Sequence, residues 1–111
     1  MKTKAAVLHQ IGGHARPYTD SKPLKIEEVE LGKPGRDEVI VQIKAAGLCH
    51  SDLSVIDGNR PRQTPMVLGH EAAGVIVELG EGVKNFEVGD HVVFAFLPSC
   101  GHCEYCTSGR A

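Results

Sequence analysis

The sequence has no tryptophan, only two tyrosines and three phenylalanines, and aromatic residues make up 5% of it. A core without large rings must come from Val, Ile, Leu and Ala, which suits short β-branched strands. An excess of one charge is also missing. Twelve Lys and Arg stand against fourteen Asp and Glu, the formal net charge is −2, and the basic residues are scattered. That excludes the concentrated basic face with which proteins hold nucleic acid or an anionic membrane. No apolar run approaches the roughly 18 residues of a membrane span. Met1-Lys2-Thr3-Lys4 is basic like the start of a signal peptide, but Ala5 to Leu8 is too short for the apolar segment and His9-Gln10 interrupts it. The expectation is a soluble, cytoplasmic chain.

At 111 residues and 11.9 kDa there is room for one domain, residues 1–111, which should bury roughly 60–70% of its unfolded surface. Lys4 to His9 is short, apolar and followed by Gly12-Gly13, as for a first strand. Residues 10–23 are rich in Gly, Pro and polar residues and read as loop. Leu24 to Leu31 starts with period-two alternation that slips at Glu28, which suggests a strand with a bulge. After the turn at 32–37, Val39 to Ala46 alternates as a strand with one buried face. Cys49 to Asp57 forms a helical turn or two with Ser51 or Asp52 as N-cap, and residues 58–65, with Pro61 and Pro65, are loop. Ala72 to Leu79 is small and β-branched. The run Val92 to Leu97 is continuous and apolar, bounded by turns, and reads as a buried strand. Five or six short strands with little helix point to an all-β barrel or sandwich.

Chemistry concentrates in three places. Cys100-Gly-His-Cys103-Glu-Tyr-Cys106 sets three of the four cysteines at spacings of three, so that a tight loop can fold its sulfurs around one soft ion at about 2.3 Å. In a chain with no signal sequence, metal thiolates are a better reading than disulfides. An iron–sulfur run would need a further cysteine four residues on, where Arg110 stands. A closed zinc site needs four ligands, and His102 is poorly set to supply one. The expectation is a chain cut short, with the last ligand beyond Ala111. Cys49-His50-Ser51-Asp52 and Gly69-His70-Glu71 are the other two places. Alone, Cys49 reads as a small buried hydrophobe and His70 as an ordinary hydrogen-bonded histidine. Together, each beside a glycine, a strand end and a carboxylate, they read as metal ligands. Gly74 rules out the H-E-x-x-H helix, and no G-x-G-x-x-G opens a βαβ unit. His9, His14, His91 and His102 read as surface or strand-end residues.

With these residues quoted, nearly the whole chain resembles the N-terminal part of zinc-dependent alcohol dehydrogenases of the medium-chain dehydrogenase/reductase family. Gly69-His70-Glu71-x-x-Gly74-x₅-Gly80-x-x-Val83 is similar to the family's zinc signature, and Gly47-x-Cys49-His50-Ser51-Asp52, Val88-Gly89-Asp90 and the three-cysteine lobe follow the family order. The resemblance implies a GroES-like, mainly β, partly open barrel with short helices and a cysteine-rich zinc lobe at its C-terminal end. It implies a catalytic zinc on Cys49, His70 and a third ligand past Ala111, with Glu71 entering the coordination transiently and Asp52 hydrogen-bonding the histidine ligand. Asp52 also reads as a plain N-cap. Ser51 matches the hydroxyl that passes the alcohol proton outward, and His50 the residue near the cofactor pyrophosphate. Phe96 matches a substrate-pocket position, with core packing as its other reading. Position 54 carries Ser where some members have a relay histidine.

A structural zinc on Cys100, Cys103, Cys106 and a cysteine just past Ala111 is implied as well. The activity implied is oxidation of an alcohol to an aldehyde or ketone, zinc polarising the hydroxyl and hydride passing to NAD or NADP on a Rossmann domain that this chain lacks. By the same resemblance the full-length protein is a homo-oligomer, a dimer or tetramer, with a small-molecule alcohol or aldehyde as partner, and residues 1–111 alone are inactive. The competing expectations are a non-enzymatic GroES-like or zinc-binding interaction module, and a zinc-free quinone or enone reductase. The latter class usually lacks the Cys49 and His70 pair.

Overall fold

A computed structural model describes residues 1–110; Ala111, the last residue of the expected domain, lies outside them. The elements in order are β1 (Lys2–Leu8), α1 (Tyr18–Ser21), β2 (Leu24–Glu30), β3 (Val39–Ala46), α2 (His50–Asp57), β4 (Met66–Val67), β5 (Ala72–Leu79), β6 (His91–Val93) and α3 (Glu104–Thr107). They build two three-stranded antiparallel sheets, ordered β2-β1-β4 and β3-β5-β6. The mainly β architecture is the one expected from the strand count, and its partly open form is the one the resemblance implies.

Period-two alternation places the strands well and their irregularities poorly. β1 and β2 pair without a break from Lys2↔Glu30 to Leu8↔Leu24, so the slip at Glu28 is not a bulge. The register shifts lie in β3 against β5, between Ile40 and Val41 and between Ile43 and Ala45. They disturb the face that alternation assigns to β3: Ile40 is buried, while Ile43 is 48% exposed. Gly74 sits opposite Ile43 at the second shift, and a methyl there would fall onto the Gln42 carbonyl.

Three further expectations are corrected. The run Val92 to Leu97 is strand only as far as Val93, and Val93, Phe94, Phe96 and Leu97 are exposed, because no element of the described residues packs over them. The N-cap of α2 is Cys49 rather than Ser51 or Asp52, and no side chain caps it. The loop 10–23 contains the turn α1 and is tied to the end of α2. Gly12 N–H donates to the Ile56 carbonyl at 2.9 Å, Arg16 Nη2 donates to Asp57 Oδ1 at 3.0 Å, the Tyr18 hydroxyl donates to the same oxygen, and the Arg16 guanidinium lies 5.0 Å from the Tyr18 ring centre. The strand β4, paired to β1 through Val7↔Val67 and Leu8↔Met66, is also new.

The main core lies between α2 and the first sheet, where Leu8, Val55 and Ile56 are buried and Ile11, Tyr18, Leu24, Met66 and Leu68 pack around them. It is as aliphatic as the composition requires, and small. The chain exposes 8435 Å², against about 5,900 Å² for a compact protein of this mass, so only about half of the unfolded surface is buried rather than 60–70%. The radius of gyration of 16.3 Å likewise exceeds the roughly 13 Å of a compact domain of this length.

Two predictions follow from the packing. Gly80 closes the turn after β5 where a methyl would strike the carbonyls of Gly35 and Glu38, whereas Gly32 faces open space. Gly80→Ala should therefore cost about 2 kcal/mol or more and Gly32→Ala less than about 0.5, as read by urea unfolding. The Asp57 carboxylate that accepts the Tyr18 hydroxyl holds that phenol above its ordinary range. A raised folded-state value means stability that is complete below pH about 10 and is lost as pH rises through the folded value. The stability advantage of the unsubstituted protein over Tyr18→Phe should thus shrink as unfolding is repeated above about pH 10.

Candidate metal centre and its cavity

The β3–β5 ladder assembles the site. Its last pair is Ala46↔Ala72, and Gly47 N–H extends it by donating to the Glu71 carbonyl at 2.9 Å. Two antiparallel segments leaving a ladder side by side must bring together residues just beyond its end. Cys49, three residues after Ala46, therefore meets His70, two before Ala72. A methyl on Gly47 would lie 2.6 Å from Glu71 Oε2, so the glycine leaves space for that carboxylate. Gly69, at φ 121°, turns the chain into His70 through a conformation that L side chains rarely adopt.

Cys49 Sγ, a ring nitrogen of His70 and a carboxylate oxygen of Glu71 all lie within 4.8 Å of one another. The Ser51 hydroxyl donates to Cys49 Sγ at 3.3 Å and stands 3.4 Å from His70 Nε2. On the other side of the ring, His70 Nδ1 is 3.4 Å from Asp52 Oδ1. A carboxylate can only accept, so it favours the tautomer with the proton on Nδ1 and leaves the Nε2 lone pair facing Cys49 and Ser51. The Phe96 ring meets His70 edge-on at 6.2 Å between centroids. The Ser51 hydroxyl and backbone N–H, then the His70 ring, hold the Cys49 thiol below its ordinary range. The hydrogen bond to Cys49, then the nearby Asp52 charge, hold His70 above its own, against the opposing effect of burial. A soft thiolate and an imidazole nitrogen oriented by a carboxylate form a donor set suited to zinc.

The second group is Cys100, Cys103 and Cys106, whose sulfurs also lie within 4.8 Å of one another. Cys103 N–H points at Cys100 Sγ at 3.2 Å, and Cys106 N–H at Cys103 Sγ at 3.4 Å where Cys103 caps α3. Three cysteine sulfurs gathered by one tight loop form a soft donor set of the kind that ligates zinc. His102 donates from Nδ1 to the Cys100 carbonyl at 2.9 Å and stands apart from the three sulfurs.

Cys49, Ser51, Asp52, His70, Glu71 and Phe96 line one cavity of about 530 Å³. Phe96, 71% exposed, is not a core residue. His50 is exposed on the first turn of α2 and does not line the cavity, and Ser54 turns its hydroxyl to the His50 carbonyl at 3.3 Å. Sequence reasoning missed Arg60, Arg62, Met66, Val67 and Leu68 in the wall. The two arginines lie in a stretch legible only as loop. Across the first sheet, His9 pairs with Glu27 at 2.7 Å, a contact that sequence spacing does not show.

Residues 35–111 match the family described as Alcohol dehydrogenase GroES-like domain, and the chain belongs to it. An NDMA-dependent alcohol dehydrogenase from Amycolatopsis methanolica is 51% identical over 111 residues, which are all of this chain and 28% of that protein. A crystal structure of an alcohol dehydrogenase zinc-binding domain protein from Burkholderia ambifaria superposes with a TM-score of 0.83 at 41% identity, over 98% of this chain and 27% of its own. One of an NAD-dependent alcohol dehydrogenase does so with a TM-score of 0.79 at 35% identity, over 97% and 30%. The chain thus spans under a third of the length of these relatives.

The Asp52 contact carries a test. A metal held by Cys49 and His70 in the full-length protein should bind about 10- to 100-fold more weakly in Asp52→Ala, measured by competition with a chelator, while a metal on the three-cysteine loop should bind as before.

Proposed function

We propose that the full-length protein carrying this chain oxidises a small-molecule alcohol to an aldehyde or ketone and passes the hydride to NAD or NADP. The observation that carries the reading is the convergence of Cys49, His70 and Glu71 in the lining of a cavity of about 530 Å³, a volume suited to a small organic substrate. Family membership and the alcohol dehydrogenases it resembles support it. Cys49 and His70 hold the catalytic zinc, with Glu71 as the acid beside it, and Cys100, Cys103 and Cys106 hold a structural zinc.

When bound, zinc supplies Lewis-acid polarisation of the alcohol oxygen. The chain does the rest. Asp52 fixes the tautomer of His70 from behind the ring. Ser51, in contact with both ligands, takes the alcohol proton at Oγ and gives up its own to solvent at the cavity mouth. Phe96 and the apolar wall of Met66, Val67 and Leu68 seat the carbon skeleton and restrict water. His50, at the exposed start of α2, is the residue assigned to the dinucleotide phosphates. The setting is cytoplasmic, and the working enzyme is a homo-oligomer of two or four chains.

Metal analysis and activity of the full-length protein test the reading. About two zincs per chain are expected. His70→Ala should remove one of them and reduce alcohol oxidation by a factor of about 10³ or more. Cys103→Ala should remove the other and lower thermal stability. A protein without zinc, or one whose activity survives His70→Ala, contradicts the assignment.

A further inference from the structure

We propose that Arg60 and Arg62 form an anion-binding end to the cavity, so that the alcohol oxidised there carries a carboxylate or similar anionic group away from its hydroxyl. The inference rests on the alcohol-oxidising reading and narrows its substrate class.

Both arginines line the cavity that holds Cys49, His70 and Glu71. Pro61 stands between them, and it disfavours helix at Arg60. Arg60 lies in a bend and Arg62 in irregular backbone, and from there both reach one cavity. Neither guanidinium is satisfied within the described residues. Arg62 Nη1 donates to the Pro61 carbonyl at 2.9 Å, Arg60 has no side-chain hydrogen bond, and no carboxylate lies within 4.0 Å of either. Arg16 and Arg36, by contrast, find Asp57 and Asp37.

The acids of the cavity are committed elsewhere. Asp52 is held at His70 and Glu71 belongs to the ligand cluster. Among the described residues, two positive charges without counter-charges therefore line a cavity that Met66, Val67 and Leu68 also line. A cavity of about 530 Å³ has room for a small organic molecule that carries an anionic group apart from its reacting hydroxyl. Guanidinium is the side chain best shaped to hold a carboxylate or phosphate by paired hydrogen bonds. A terminal hydroxy acid meets all three features: hydroxyl at the metal ligands, methylenes on the apolar wall, carboxylate at the arginines.

The test compares hydroxyhexanoate, with its hydroxyl on the terminal carbon, with hexanol in the full-length protein and in Arg60→Ala, Arg62→Ala and the double variant. Both positions are exposed, so the variants should fold. The unsubstituted protein should prefer the hydroxy acid. The double variant should lose about 10- to 100-fold in kcat/KM on it, mainly through KM, and change less than about threefold on hexanol. Equal losses on both alcohols overturn the proposal. A raised KM for the dinucleotide with an unchanged preference also overturns it, because the arginines then serve a cofactor phosphate. If neither alcohol is oxidised, the alcohol reading itself fails, and calorimetric titration with hexanoate decides the anion site separately. Binding at least tenfold weaker in the double variant supports it, and equal binding rejects it.

Discussion

The end of the β3–β5 ladder is the constraint on which the rest of this structure depends. Gly47 donates to the Glu71 carbonyl and Ala46 stands opposite Ala72, so the chain leaving one strand and the chain entering the next run together for a few residues. A slip of one residue would turn every following side chain to the other face, and Cys49 and His70 would no longer meet. The glycines along this ladder are there for register. Gly47 leaves space for the Glu71 carboxylate, Gly74 admits the Gln42 carbonyl at a register shift, and Gly80 brings the β5 turn against Gly35 and Glu38. At Gly74 and Gly80 a methyl would meet backbone carbonyls and move the strand pairing, and with it Cys49 and His70; at Gly47 it would displace the Glu71 carboxylate.

The helix α2 joins this ladder to the main core. Its first turns carry Ser51 and Asp52, which address the two ring nitrogens of His70, and its last turn carries the buried Val55 and Ile56. The far end is held by Asp57 through Tyr18 and Arg16, and by Gly12 N–H on the Ile56 carbonyl. A helix of 8 residues is too short to be stable by itself. Its orientation at the site is therefore set by tertiary contacts at both ends. The loop 10–23, which does not line the cavity, supports the site through these contacts.

Much of the site was legible in the sequence because it is written in short motifs. Cys49, Ser51, Asp52, His70 and Glu71 lie in two runs, and their convergence follows once β3 and β5 are paired antiparallel. The cysteine lobe was legible for the same reason: ligands three residues apart need only a turn to meet. What escaped the sequence is what depends on distant contacts. Arg60 and Arg62 sit in a stretch where composition says only loop, and their place in the cavity wall depends on α2, β4 and the His70 turn together. The exposure of Phe94 to Leu97 also defeated the apolar run as a guide, since hydrophobicity reports a preference for burial and not whether anything covers the segment. The Glu28 slip and the real irregularities in β3 differ because β-bulges answer to the partner strand as well as to the strand's own sequence.

The claim that Cys49 and His70 hold the catalytic zinc is most directly tested by anomalous diffraction at the zinc edge from crystals of the full-length protein. The expected map has one peak at about 2.3 Å from Cys49 Sγ and about 2.0–2.1 Å from His70 Nε2. A map with zinc on the cysteine lobe alone, or with a zinc near Cys49 that His70 does not touch, would contradict it.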